Sequence, residues 1–302
     1  MKYTLTVFTT TYNRAHTLNR CYESLKRQTS RDFLWLIIDD GSTDNTKELV
    51  KKWANEGIIP IRYHYKKNGG MHTGHNTAYR LIDTELNVCI DSDDYMPDNA
   101  VEIIVSFWKE NKSDDCAGIF ALDADYEGNV LGDKFPNDIK KIHLNELDRK
   151  YRLKGDKKFV FRTDIVSKYP KYPEFEGEKN FPLSYKTMLI DKDYKFLLLN
   201  RVLCNVEYQE DGSSKTIVKQ YFTNPKGFYE FRKFAMVNDC SFKRRFIQCI
   251  HYVSSAIILK NKKFLKESPK KLMTIVAIPA GYLFNKYISI KQESIQSLNK
   301  KI

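Results

Sequence analysis

The stretch Val88-Cys89-Ile90-Asp91-Ser92-Asp93-Asp94 limits what this chain can fold into more than any other. Three apolar residues run directly into three carboxylates within four positions. An unbroken apolar run predicts the end of a strand buried on both faces, as in parallel sheets. The carboxylates then fall at the strand's C-terminal edge, where open α/β sheets bind ligands. Carboxylates so close repel one another, so a fold that gathers them calls for a cation. An oxygen-preferring divalent ion bridging a phosphorylated substrate meets that need. The competing reading is a solvated acidic turn opening the helix after Pro97, since Asp and Ser are common in turns and caps.

The flanking sequence favours the first reading. Leu5–Thr9 predicts a strand entering the polar turn Thr9–Arg14, and Leu18, Cys21, Tyr22 and Leu25 keep helical spacing between Ala15 and Gln28. Phe33–Ile38 predicts a second apolar strand ending in Asp39-Asp40-Gly41-Ser42, then a helix over Asn45–Trp53 that Ser42 or Asp44 can cap. Ile61–Tyr65 predicts a third strand, Asn68-Gly69-Gly70 a turn, and Thr73–Ile82 a helix before the strand that ends at Asp91. A helix to Trp108 and strands at Gly118–Leu122, Phe159–Phe161 and Phe196–Leu199 follow; Asp123–Lys158 reads as a loop or hairpin over the site. This alternation predicts an α/β fold with a doubly wound, mostly parallel, Rossmann-like sheet whose polar strand ends converge on one edge.

Charge divides the chain. Residues 1–221 hold 34 basic and 34 acidic side chains, whereas residues 222–302 hold 16 basic and 4 acidic ones. The whole excess of +12 therefore lies in a basic helical C-terminal region, 222–302, appended to a neutral body, 1–221. Pro225-Lys226-Gly227 marks the boundary, and Lys233–Ile258 and Lys262–Tyr287 show helical spacing. Such asymmetry suits an anionic partner, membrane or nucleic acid. The helices match no recognised nucleic-acid motif, and a three-carboxylate edge repels phosphates, which argues against nucleic acid. The six cysteines show no metal-ligand spacing, which points to a reducing, cytoplasmic setting. No signal-type segment and no run of about 20 apolar residues is seen.

Six features in order resemble the inverting, nucleotide-sugar-dependent glycosyltransferases of family 2, which have the GT-A fold. They are Val7–Arg14 as opening strand and turn, Asp39-Asp40-Gly41-Ser42-Thr43-Asp44, and Asn68-Gly69-Gly70 with Asn76. Asp91-Ser92-Asp93-Asp94 then resembles the DxD motif, Glu176-Gly177-Glu178-Lys179 the variable ED segment, and Glu207–Ser214 the close of the catalytic domain. The resemblance covers roughly residues 3–215 and implies a UDP-sugar donor with Mn²⁺ or Mg²⁺. It implies Asp93 as metal ligand, with Asp91 at the ribose, a metal-bound water or the metal itself, and Ser92 and Asp94 beside them. Thr9, Thr10, Thr11, Asn13, Arg14, Asp39, Asp40, Asn68, Gly69, Gly70, His72 and Asn76 fall to the donor pocket. Asp39 would accept from the uracil N3–H. Where relatives carry a lysine this chain has Met71, which leaves His72 or His75 for that phosphate contact.

The implied catalytic base is Glu178, with Glu176 as the alternative because Lys179 replaces the usual acid. The implied acceptor is a saccharide or lipid-linked saccharide in surface polysaccharide synthesis. The basic region would hold the enzyme peripherally on the inner face of the plasma membrane, or form a homo-oligomer. A nucleotidyltransferase also pairs carboxylates with Mg²⁺, but the Thr9–Arg14 turn lacks the glycines its phosphate loop would need.

Overall fold

Strands β1 (Leu5–Thr11) and β2 (Phe33–Asp39) are buried along their whole length, as apolar residues on both faces require. Between them α1 (Ala15–Lys26) buries Leu18, Cys21, Tyr22 and Leu25. The computed structural model describes residues 2–207, 212, 215–239 and 241–299. They fall into two compact units, 1–171 with 189–208, and 172–188 with 209–302.

In the first unit the chain continues through α2 (Thr46–Glu56), β3 (Ile61–Tyr65), α3 (Met71–Leu81), β4 (Leu86–Cys89), α4 (Ala100–Asn111) and β5 (Cys116–Ala124). Then come β6 (Lys141–Ile142), α5 (Leu144–Tyr151), β7 (Lys157–Arg162), α6 (Thr163–Val166), α7 (Ser184–Ile190, of which 184–188 belong to the second unit) and β8 (Lys195–Asn205). The eight strands lie in the order β3-β2-β1-β4-β7-β5-β8-β6. Neighbours β3, β2, β1 and β4 are parallel, as are β5 and β8, whereas β7 runs against both β4 and β5. The predicted doubly wound, mostly parallel sheet is thus the one formed. On one face Tyr22, Trp53 and Trp35 stack, with ring centroids 4.4 Å apart for Tyr22–Trp53 and 5.9 Å for Trp35–Trp53. On the other, Ala78 and Ile82 cover Phe8, Leu36 and Ile38.

The stretch between Asp123 and Lys158 is more ordered than its polarity predicts. It carries β6 and α5, and Leu122, Phe135, Ile142, Leu147 and Leu198 form a small core beneath it. The three that lie within the stretch, Phe135, Ile142 and Leu147, are too widely spaced to leave a periodic signal, so pattern reading misses them.

The second unit holds α8 (Ile217–Thr223), α9 (Pro225–Asn238), α10 (Phe242–Ile258), α11 (Phe264–Glu267) and α12 (Lys271–Asn299). The predicted helix over Lys233–Ile258 is two helices, parted near Asp239 and restarted by Ser241, whose hydroxyl caps Arg244 N. Tyr229 and Tyr252 stack at 4.5 Å and share a 2.7 Å hydroxyl hydrogen bond in the core with Met236, Cys249 and Ala277. On α12 the buried positions Thr274, Ala277, Gly281 and Ile288 follow helical spacing. A Cβ on Gly281 would sit 2.5 Å from Val253 Cβ, so glycine is what lets α12 approach α10.

The tightest point in the first unit is Gly118, at φ +147°, where a Cβ would lie 1.9 Å from Val160 O. Gly118→Ala is expected to cost about 3 kcal/mol or more, combining backbone strain with overpacking. Gly128→Ala, also at positive φ (+88°) but with nothing within 4 Å, isolates the backbone part, about 1 kcal/mol. Urea unfolding of both variants checks this; equal losses would show that the contact with β7 does not matter.

Candidate active site at the C-terminal edge of the sheet

The chain leaves β1 for β2 on one side and returns to β4 on the other, so the crevice at the end of β1 is a topological switch point. The ladder extends past the strands here: Asp40 N donates to Thr11 O at 2.8 Å, Lys66 N to Asp39 O at 2.9 Å, and Ile90 N to Phe8 O at 2.9 Å. Three strand ends therefore present Thr10–Thr11, Asp39–Asp40 and Asp91–Asp94 on one edge.

The two carboxylates at the end of β2 are each positioned by their neighbours. Asp39 is buried; its Oδ1 accepts from Ser42 N (2.7 Å) and its Oδ2 from the Tyr63 hydroxyl (2.6 Å). Burial and that bond hold the Tyr63 phenol above its ordinary range. Asp40, also buried, accepts from Lys66 Nζ (2.5 Å), Gly69 N (3.0 Å) and Gly70 N (2.7 Å). One carboxylate thus holds the whole Asn68–Gly70 turn. Gly41 makes this possible: at φ +88°, a Cβ there would meet Asn68 N at 2.8 Å. Asn13, itself at φ +53°, accepts from Thr43 N (2.7 Å) and takes Ser42 Oγ on its own N–H (2.9 Å), clamping the two loops together. Thr11 Oγ1 and Asn68 Oδ1 are buried with no hydrogen-bond partner among the described residues. Polar atoms left so can take a hydrogen bond from water or from a bound ligand.

On the other side of the switch point, Asp94 N closes a turn on Asp91 O (3.1 Å). Asp94 is buried and accepts from Glu207 N (3.3 Å) and Cys204 Sγ (3.7 Å). Ser92 is buried, and Asp91 and Asp93 are half-buried. Burial drives the Asp94 carboxyl well above the ordinary range; Lys158 opposes this, and the charges of Asp91, Asp93 and Asp123 add to it. Asp123, at the end of β5, is also buried and is pushed up to about 6, chiefly by burial. Such crowding of acidic groups is one that a hard dication would relieve. Among the described residues no three His, Cys, Asp or Glu side chains are grouped to hold a metal alone. Two carboxylates, Asp91 and Asp93, leave room for phosphate oxygens and water, the usual arrangement for Mg²⁺.

Not every expected residue sits on this edge with its side chain available. Thr9 is wholly buried and accepts the Trp35 indole N–H at 3.0 Å, so its side chain belongs to the core. His75 packs edge-on against Phe8 (5.1 Å) and near Cys89 Sγ (3.7 Å). His72 is buried in the first turn of α3, and Asn76 and Arg14 are half-buried. In the second unit, Glu178 accepts from Lys226 N (2.8 Å) and Gly227 N (2.7 Å), one on each oxygen, at the N-terminus of α9. Glu176 is exposed. Of Glu207–Ser214, the residues Tyr208, Gln209, Glu210, Asp211, Ser213 and Ser214 lie outside the described residues, as does Cys240. Sequence reading missed Tyr63, Lys66, Asp123 and Lys158, which act through partners distant in sequence.

The glycosyl transferase family 2 model matches residues 6–169, which contain every strand end of this edge. The chain belongs to glycosyl transferase family 2. Among its relatives, the hyaluronan synthase of Pasteurella multocida is 23% identical over 91% of this chain and 29% of its own length. The poly(ribitol-phosphate) β-N-acetylglucosaminyltransferase TarP of Staphylococcus aureus is 31% identical over 39% of this chain and 37% of its own. The chain thus spans well under half the length of these curated relatives. Among solved structures, S. aureus TarS 1–349 in complex with UDP-GlcNAc superposes with a TM-score of 0.61 at 20% identity, covering 90% of this chain and 79% of that one. A mannosyltransferase from Pyrobaculum calidifontis, in complex with GDP-Man and Mn²⁺, does so at 0.55 and 15%, covering 95% and 88%. These likenesses establish the GT-A fold for the family 2 domain described here.

Asp40→Ala removes the acceptor of one ammonium and two backbone N–H groups. Its expected cost is about 1.5–3 kcal/mol, the range for hydrogen bonds to a charged group. Hydrogen exchange should accelerate at Gly69 and Gly70 while β1 and β2 stay protected; unchanged exchange there would mean the turn is held by something else.

Proposed function

We propose that this chain transfers a sugar from a UDP-sugar to a saccharide or lipid-linked saccharide acceptor with inversion, in bacterial surface polysaccharide synthesis. The observation that carries this reading is the meeting of Asp39, the Asp40-held turn and Asp91–Asp94 at one switch point within a family 2 domain. The relatives named above, and the UDP-GlcNAc held by TarS, support the class of donor and product.

In this reading Asp39 orients the base of the nucleotide and the Asn68–Gly70 turn brings backbone close to the donor. Asp93, with Asp91, holds Mn²⁺ or Mg²⁺, which when bound supplies positive charge against the diphosphate. Glu178 takes the proton of the acceptor hydroxyl as that oxygen bonds to the anomeric carbon and the nucleoside diphosphate departs. Its two backbone donors fix the carboxylate's direction without consuming all its lone pairs.

The test is a panel of UDP- and GDP-sugars with and without Mn²⁺, read by transfer and by product configuration. Asp93→Ala should abolish turnover with the fold intact. Glu178→Gln should lower kcat by about 10²–10⁴-fold, the usual share of general base catalysis, with UDP affinity unchanged; Glu176→Gln should be milder. Transfer that persists at full rate in EDTA, or a retained anomeric configuration, would overturn the reading.

The second unit supports peripheral attachment to an anionic bilayer. Leu272, Ile275, Val276, Tyr282, Leu283 and Ile290 of α12 are exposed on the side opposite its packed face, among Lys271, Lys286 and Lys291. Among the described residues no helix is long and apolar enough to cross a membrane. A helix apolar on its outer face and ringed by lysines suits burial at a headgroup boundary. Val276→Glu with Leu283→Glu should abolish sedimentation with phosphatidylserine-containing vesicles and spare donor hydrolysis. If the unaltered protein ignores such vesicles at low salt but self-associates, the face joins two copies instead.

A further inference from the structure

Because β7 runs against its neighbours, it brings its first residues, not its last, to the edge where the other strands end. Lys158 pairs in register with Ala121 of β5. Val160 pairs with Val88 of β4, so continuing that register sets Lys158 opposite Ile90, beside Asp91. The Lys158 side chain is only 13% exposed and its ammonium lies 3.9 Å from Asp123 Oδ1, itself almost wholly buried. That oxygen has no hydrogen-bond partner among the described residues, so charge, rather than a made hydrogen bond, links the pair. Burial opposes the charged form of Lys158, but the acidic side chains around it, Asp123 first among them, outweigh it and hold the amine well above its usual range. A charged ammonium thus stands beneath the acidic turn. A charge there is costly unless it offsets others nearby.

Resting on the metal reading of Asp91 and Asp93, we propose that Lys158 is a fixed internal countercation that keeps this cluster's affinity for a free divalent ion low until a nucleoside diphosphate adds negative charge. The lysine neutralises part of the carboxylate charge at all times, so the folded chain tolerates the cluster with no ion bound. The same positive charge repels an incoming dication. A diphosphate supplies new anionic oxygens on the solvent side, and cation and nucleotide then bind with positive coupling. Lys158 is a positioning and charge-setting residue; it need not touch the donor.

Calorimetry with Mn²⁺ alone, and with Mn²⁺ plus UDP, tests this on the full chain. Lys158→Met should tighten Mn²⁺ binding without nucleotide by roughly tenfold or more, since a unit charge a few ångströms away in a partly buried site is removed. The coupling between Mn²⁺ and UDP should shrink by the same factor. Lys158→Arg should behave as the unaltered protein. Lys158→Met combined with Asp123→Asn restores the charge balance and should return Mn²⁺ affinity to near its original value. That is a reversal a purely structural role would not produce. If Lys158→Met does not fold, Lys158→Gln, which keeps a donor for Asp123, serves in its place. Unchanged or weakened Mn²⁺ affinity in a folded lysine variant, or no return in the double variant, overturns the proposal while leaving the metal site standing. Absence of Mn²⁺ binding to the unaltered protein, even with UDP, overturns both.

Discussion

The structure depends on how it manages negative charge where β4 ends. Asp91, Asp93, Asp94 and Asp123 gather at one sheet edge, two of them buried. A low local dielectric magnifies their mutual repulsion. Every nearby feature answers that repulsion. Asp94 takes a backbone N–H and a thiol, Lys158 pairs with Asp123, and Asp91 and Asp93 stay half-buried. On the far side of β1 the same problem is solved differently. Asp40 spends its charge on a lysine and two backbone amides, which converts repulsion into the order of a turn.

What the sequence made legible follows from which forces are local. Strands apolar on both faces, such as Phe33–Ile38, announce a parallel sheet without any knowledge of partners, and turn residues announce where they end. The strand ends therefore converged as expected, and Asp39, Asp40 and Asp91–Asp94 came with them. Thr9 shows the limit. It belongs to the same polar-looking run as Thr10 and Thr11, but its hydroxyl is taken by the Trp35 indole N–H from the neighbouring strand. Its neighbours in the sequence do not reveal that contact. Lys158 shows the limit more sharply. At the end of a polar stretch it looks like a surface lysine, and only the reversed direction of β7 carries it to the acidic edge. Strand direction is a property of topology, and pattern alone does not encode it.

The second unit teaches the same lesson through caps and faces. In the sequence Glu178 stood out only as the catalytic base that the family resemblance implies. In the fold it satisfies two of the free N–H groups that open α9, a favourable place for negative charge. A carboxylate so held is presented in a fixed direction by the helix it caps. The basic charge seen in composition resolves into a geometry as well. On α12 Thr274, Ala277, Gly281 and Ile288 are buried while Leu272, Val276 and Leu283 are exposed, so the helix carries apolar residues on two sides.

The pairing of Asp123 with Lys158 has one more consequence. These residues bracket the excursion that carries β6 and α5, and both are anchored in the sheet. For a segment already this long, the entropic cost of closing its ends grows only slowly with added length. Residues inserted at its open turns, as beside Gly128, where nothing lies within 4 Å of an added Cβ, would therefore add little closure cost, whereas Phe135, Ile142 and Leu147 are held in place against Leu122 and Leu198.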